Sequence, residues 1–334
     1  MIRSFLIHLS MNMWEDCYPE KFKAMTGEEH RQIMPEQWKR IPVYMNDRAW
    51  RDYLQFDQSM WEKFLAYFAR SGGNTVVLDI GDGVVFRSHP EIAVPGAWTP
   101  LKLKEEIARC RDLGLTLVPK LNFSSCHDAW LRQYSRMLST PEYYRVCRDL
   151  IAECAELFGG PAHFHLGMDE EGCECQRDYE YLTVRSGQLW WNDLNFYFDE
   201  VRKAGARPWM WSDKLWYCDD AEFSRNVSRD VVQNNWYYWG DFDIPADTDD
   251  RELQYRRHIL DTFARLDQLG FDQVPAGSTW ATPHNVERLV PFCRRRITPE
   301  HLLGFMTAPW FSTEEKNSEI LLESCDQLER ACRT

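Results

Sequence analysis

The chain has 334 residues and carries 52 acidic against 39 basic side chains, a net charge of −13. With no basic stripe to offset that balance, nucleic acid and other phosphate-rich partners are excluded as expected ligands. No run approaches the roughly 18 apolar residues of a membrane helix, so no membrane partner is expected either.

Short apolar runs recur along the chain with amphipathic stretches between them. In order they cover residues 2–9, 75–80, 116–121, 163–168, 207–211, 231–235, 273–278 and 303–307. Apolar spacing of three and four between the runs predicts helices, as in Trp61, Phe64, Leu65 and Phe68, or Leu194, Phe198 and Val201 with a stop at Gly205. Gly114 and Gly270 likewise precede a strand, where helix-ending glycines belong. Eight strands with helical returns predict an α/β protein, a single (β/α)8 TIM barrel over residues 1–334. A doubly wound sheet would more often show a glycine-rich phosphate loop after its first strand, and none is visible.

The longest connection, about residues 10–57, joins the first strand to the first helix and holds Trp14, Tyr18, Trp38, Tyr44 and Trp50. Loops of that length are usually functional. This one is expected to fold over the barrel mouth, or to hold a short helix around residues 27–34. The apolar start at residues 5–9 is too short for a signal peptide. Eleven cysteines, odd in number and scattered, suit reduced thiols, so a cytoplasmic setting is expected. Cys173 and Cys175 lack the second pair that structural zinc needs, and neither a metal nor another cofactor is expected.

Catalytic groups in such barrels sit where strands end and loops begin. Strand one delivers His8, Asn12 and Trp14 there; strand two, Asp79 and Asp82; strand three, Asn122 and His127; strand four, Asp169 and Glu170. Strand five adds Trp211 and Asp213, strand six Trp236, Tyr237 and Tyr238, strand seven Trp280 and His284, and strand eight Trp310. Carboxylates ringed by aromatics describe a sugar pocket, because a sugar's C–H face packs on a ring while its hydroxyls take hydrogen bonds. Fifteen tryptophans, several times ordinary usage, agree. For Asp79, Asp82 and His127 a structural role in the loops is an equal reading. Along strand four, period two turns His163, His165, Gly167 and Asp169 to one face and Phe164, Leu166 and Met168 to the other, with Glu170 at the rim. His165 then either supports Asp169 or serves as a satisfied core residue.

The run His165-Leu166-Gly167-Met168-Asp169-Glu170 resembles the His-x-Gly-Gly-Asp-Glu signature of glycoside hydrolase family 20, the β-N-acetylhexosaminidases, with Met168 in place of the second glycine. Arg207-Pro208-Trp209-Met210-Trp211-Ser212-Asp213 is similar to that family's fifth strand, residues 231–236 to its sixth, and Trp310 falls where the eighth-strand tryptophan belongs. The resemblance implies an oligosaccharide or glycoconjugate substrate and retaining, substrate-assisted cleavage of terminal β-linked N-acetylhexosamine. In it Glu170 is the general acid and then the base, and Asp169 orients the 2-acetamido group that attacks the anomeric carbon. Trp211, Trp236 and Trp310 wall the sugar, and His165, Asp213, Tyr238, Trp280, Asn122 and His127 complete the candidate binding set.

The chain departs from that pattern in four places. His8-Leu9-Ser10-Met11-Asn12 stands where the family carries a sugar-gripping Arg, and Ser278-Thr279-Trp280-Ala281-Thr282 where it carries a Tyr and an Asp. Tyr237 or Tyr238 is the available substitute for that Tyr. Ser312 replaces the acid beyond the last tryptophan, leaving Glu314 nearby, and the additional α/β domain common before the barrel is not expected here. Three other readings stay open: a glycosidase of other specificity with Asp213 as nucleophile, a sugar-binding barrel without turnover, and a metal-dependent isomerase liganded by His165, Asp169 and Glu170.

Overall fold

The computed structural model describes residues 1–15, 50–176, 179–280 and 282–333. Tyr18, Trp38, Tyr44, Ala281 and the helix expected at residues 27–34 lie outside the described residues. Among the described residues, eight parallel strands alternate with eight helices: β1 Ile2–His8, α1 Gln58–Arg70, β2 Thr75–Asp79, α2 Pro100–Asp112, β3 Thr116–Lys120, α3 Pro141–Leu157, β4 His163–His165 and α4 Gly187–Lys203. There follow β5 Arg207–Trp211, α5 Asp220–Asn226, β6 Val232–Asn234, α6 Arg251–Gln268, β7 Ala276–Gly277, α7 Asn285–Arg294, β8 Gly304–Thr307 and α8 Ser318–Arg333. The strands hydrogen-bond in the order β6-β5-β4-β3-β2-β1-β8-β7. Bridges Gln233↔Gln273 and Trp236↔Ala276 close the ring between β6 and β7. The fold is the expected (β/α)8 barrel.

The helices bury the stripes their spacing predicts: Met60, Trp61, Phe64, Leu65 and Phe68 in α1, and Trp190, Trp191, Leu194, Tyr197, Phe198 and Val201 in α4. Thr99, Thr140 and Asp250 cap α2, α3 and α6 by accepting first-turn amides, which satisfies donors that a helix start leaves open. Inside the barrel, Leu6, Val77, Val118, Trp209, Trp211, Val232, Val274, Ala276, Met306 and Ala308 form an apolar plug, distinct from the larger core between sheet and helices. Toward the C-terminal ends of the strands the interior turns polar. His8, Asp79, Lys120 and His165 are register neighbours across β1 to β4, and all are buried. Two of them pack against tryptophans further up the barrel, His8 against Trp310 and His165 against Trp211.

Strand four is shorter than its apolar run predicts. It ends at His165, and the chain then enters a turn in which Gly167, Met168 and Glu170 have φ of +70°, +76° and +54°. Period-two alternation therefore stops before the two acids. Their aim is set by a left-handed turn and by whatever holds it.

The described part of the long first loop is pinned at both ends. Asn12 Nδ2 donates to the Arg51 carbonyl (2.7 Å) and its Oδ1 accepts from the Arg51 amide (2.9 Å), so residues 12 and 51 sit side by side. Asn12 also donates to Asp82 Oδ2 (3.0 Å), which Ser10 Oγ reaches from the other oxygen (2.5 Å). Asp82 thus organises a loop, the structural role weighed for it. Its pKa is pushed up to about 6, mainly by burial.

Candidate active site

The turn after β4 is gripped by side chains from the loop after β3. Asn122 Oδ1 accepts from the Met168 amide (3.1 Å) and the Ser124 amide (3.0 Å), while its Nδ2 donates to Asp169 Oδ1 (2.8 Å). Ser124 Oγ donates to the Asp169 carbonyl (2.5 Å), and the Cys126 thiol to the Glu170 carbonyl. A Cβ at Gly167 would overlap the Asn122 amide, so this position admits only glycine twice over, by conformation and by space. Met168 holds an equally positive φ, yet its side chain is buried and its sulfur lies 3.9 Å from Arg185 Nη2. Here a packed side chain occupies a backbone conformation that glycine would adopt more easily.

His127 bridges the two acids, with Nδ1 3.3 Å from Asp169 Oδ1 and Nε2 3.3 Å from Glu170 Oε2. Burial alone would favour the neutral ring, but Asp169's charge and hydrogen bond, then Glu170's, raise the His127 pKa well above its ordinary value. Asp169 shows the reciprocal effect. Burial pushes its pKa up, yet the His127 charge and hydrogen bond, buried Lys120 and the Asn122 amide together hold it well below the usual range, so it stays ionised. Asp169 is buried, whereas 43% of the Glu170 side chain is exposed. One acid is a fixed charge and the other faces the opening.

Asp213, in the loop after β5, is almost fully buried. Its Oδ2 accepts the Glu170 amide (2.8 Å). Burial, and next the charge of Asp169, push its pKa up to about 8.

The acids open into a cavity of about 280 Å³ lined by Trp14, His127, Asp169, Glu170, Trp211, Trp236, Tyr238, Trp239, Tyr255, Trp280 and Trp310. Eight of the eleven expected site residues meet there: Asp169, Glu170, His127, Trp211, Trp236, Tyr238, Trp280 and Trp310. Trp236 and Tyr238 stack at 4.9 Å, and Trp211 packs 5.9 Å from Trp310. The Nε1 atoms of Trp211 and Trp310 are buried without a hydrogen-bond partner among the described residues.

Three expected contacts do not line the cavity. His165 is fully buried; its Nδ1 accepts from the Gly167 amide (3.0 Å) and its Nε2 faces Asn234 Oδ1 (3.3 Å). Burial, and next the charge of Lys120, push its pKa down to about 3, so it is the neutral core histidine of the alternative reading, and a substrate contact is corrected. With Nδ1 taken by an amide, it is also no partner for Asp169 and Glu170 around a metal. Asn122 acts through Asp169. Asp213 lies behind Glu170, which removes it both as a sugar contact and as a nucleophile.

Trp14, Trp239 and Tyr255 join the wall without having been singled out as substrate contacts. Trp14 and Trp239 carried a signal, the first at the end of strand one and the second closing the run Trp236-Tyr237-Tyr238-Trp239. Tyr255 carried none, since it stands in the charged first turns of α6 and reaches the mouth only through the barrel's closure.

The departures from the family pattern have local explanations. Where an Arg was expected, His8 lies 3.4 Å from Asp79 Oδ2 beneath Trp310, and Asp79 is ion-paired with buried Lys120. Tyr237 is fully buried and donates to the Asp241 carbonyl, so of the two tyrosines only Tyr238 reaches the pocket. Ser312 donates to Glu314 (2.5 Å) without placing it on the wall.

No protein-family profile and no curated protein matches the sequence. Solved structures do. The β-N-acetylhexosaminidase from Bacteroides fragilis NCTC 9343 superposes with a TM-score of 0.61 at 14% identity, over 98% of this chain and 65% of that one. A GH20 exo β-N-acetylglucosaminidase from Vibrio harveyi gives 0.60 at 14%, over 99% and 54%. The Streptomyces plicatus N-acetyl-β-hexosaminidase gives 0.57 at 14%, over 83% and 61%. The chain thus spans between about half and two thirds of the length of these enzymes. The chain shares the (β/α)8 barrel fold of these three enzymes.

Proposed function

We propose that the protein is a glycoside hydrolase that removes terminal β-linked N-acetylhexosamine from glycans by a retaining, substrate-assisted mechanism. The observation that carries this reading is the pairing of an acid held ionised with a solvent-facing acid, bridged by one histidine, at the end of β4 in an aromatic pocket.

In the first step Glu170 donates a proton to the glycosidic oxygen while the substrate's acetamido oxygen attacks the anomeric carbon, and the leaving alcohol departs. Positive charge develops on the acetamido group. Asp169, buried and already ionised, is suited to stabilise it without reorganising. In the return step Glu170, now a carboxylate, takes a proton from water as the water opens the cyclised intermediate. A partly dry aromatic wall strengthens both electrostatic effects and excludes stray water.

The test compares p-nitrophenyl N-acetyl-β-glucosaminide, its galacto epimer and p-nitrophenyl β-glucoside on wild-type protein, Glu170→Gln and Asp169→Asn. Hydrolysis restricted to the acetamido sugars, and reduced at least a hundredfold in both variants, is expected. Equal turnover of the plain glucoside, or full activity in Glu170→Gln, overturns the reading.

A further inference from the structure

Asp213 is the one carboxylate of the central cluster for which the catalytic steps above have no use. Its Oδ2 accepts the Glu170 amide at 2.8 Å, its Oδ1 is buried with no hydrogen-bond partner among the described residues, and it is not part of the cavity wall. The groups around it are Asp169 and Glu170 from the β4 loop, with His127 bridging those two from the β3 loop. Tyr217 in its own loop and Tyr255 in α6, joined hydroxyl to hydroxyl at 3.1 Å, also feel its charge. Its neighbour Lys214 turns away, over the rings of Trp190 and Trp191. His127 and buried Lys120 thus offset Asp169, and His127 also pairs with Glu170, while among the described residues no cation is paired with Asp213.

We propose that Asp213 is the positioning residue for Glu170, working as a neutral carboxylic acid whose Oδ2 anchors the Glu170 amide and whose Oδ1 carries the proton. This rests on the glycosidase reading for its purpose, though not for its geometry. Glu170 sits at φ +54°, a conformation that non-glycine residues hold only when their surroundings fix it. Its carbonyl is fixed by Cys126 and its amide by Asp213, so the peptide is clamped from both sides. A carboxylate would hold the amide as well, but with a different consequence. Glu170 must become an anion when it gives up its proton, beside Asp169, which is already one. A third negative charge in a poorly solvated cluster would oppose that step, whereas a neutral acid leaves His127 and Lys120 to balance the other two. With Oδ2 engaged as acceptor, the proton belongs on Oδ1.

The test uses Asp213→Asn, which keeps an acceptor for the amide and stays neutral, and Asp213→Leu, which keeps the size and removes the acceptor. On the N-acetyl-β-glucosaminide, Asp213→Asn is expected to keep kcat within about threefold. Asp213→Leu leaves the Glu170 amide without its acceptor and is expected to lower kcat roughly ten- to hundred-fold with KM little changed. In the ¹⁵N-glutamate-labelled protein, the Glu170 amide, assigned by its loss in Glu170→Gln, should shift in Asp213→Leu and stay near its place in Asp213→Asn. Infrared spectra of wild type minus Asp213→Asn, with ¹³C-carboxyl aspartate, should show a protonated carboxyl that persists until pH approaches about 8. A carboxylate band at pH 6 to 7, or an Asn variant as impaired as the Leu variant, overturns the proposal. If wild-type protein hydrolyses no acetamido sugar, the function proposed above fails, and the infrared comparison, which needs neither activity nor the Leu variant, still decides the state of Asp213.

Discussion

Met168 stands where the related signature has glycine, and substituting it separates backbone strain from packing. At φ +76° an L-residue bears about 1–2 kcal/mol relative to its right-handed form, which glycine escapes. Glycine gives part of that back, about 0.5–1 kcal/mol, through the extra freedom of the unfolded chain. Against this relief stands the loss of a buried Met side chain, which costs about 2–5 kcal/mol when truncated to Ala in a packed core. Met168→Gly should therefore be destabilised by about 2–4 kcal/mol. Met168→Ala loses nearly the same packing and keeps the strain, so it should be less stable than Met168→Gly by about 0.5–1 kcal/mol, the reverse of the usual order of these residues. Urea unfolding of the three proteins, monitored by tryptophan fluorescence with slopes compared to confirm a common denatured state, measures both differences. An alanine variant as stable as the glycine variant would refute the claim that the turn is strained at Met168; a glycine variant more stable than wild type would refute the claim that packing outweighs it.

His127 and Asp169 stabilise the fold within a pH window. The raised histidine pKa contributes fully below its unfolded value of about 6.5 and is lost as pH rises through the higher folded value. The lowered Asp169 pKa contributes above about 3.9 and is lost as pH falls. Melting temperature against pH should therefore decline on the alkaline side in wild type and flatten there in His127→Gln; parallel curves would count against the ion pair. Lys120→Met leaves Asp79 buried without its main counter-charge and should cost about 3–5 kcal/mol by chemical denaturation, while adding Asp79→Leu should restore most of it. Additive losses in the double variant would show that the two residues stabilise independently.

What was legible in the sequence follows from distance along the chain. The eight strands announced themselves by apolar runs of the right length, and the strand ends by the polar and aromatic residues that follow each run. The acids at Asp169 and Glu170 were visible for the same reason. Their support was not. Asn122 and His127 could be flagged as polar residues past strand three, but that one fixes Asp169 while the other joins both acids depends on the packing of adjacent loops. Strand alternation gave the right neighbourhood for Asp169 and the wrong cause, because the strand stops at His165 and a left-handed turn takes over. His165 and Asp213 illustrate the converse. Both have residue types that suit a sugar site, and both spend their hydrogen bonds on backbone amides, His165 on that of Gly167 and Asp213 on that of Glu170.

The clasp between the loops after β3 and β4 bears on how such a site can be moved or changed. The six residues from His165 to Glu170 are not a portable cassette: copied into another barrel without Asn122, Ser124, Cys126 and His127, they would lack the side chains that curl them and set their protons. The transferable unit is a pair of segments whose contacting residues lie more than forty positions apart, and recombination or redesign that divides them separates the acids from their mould.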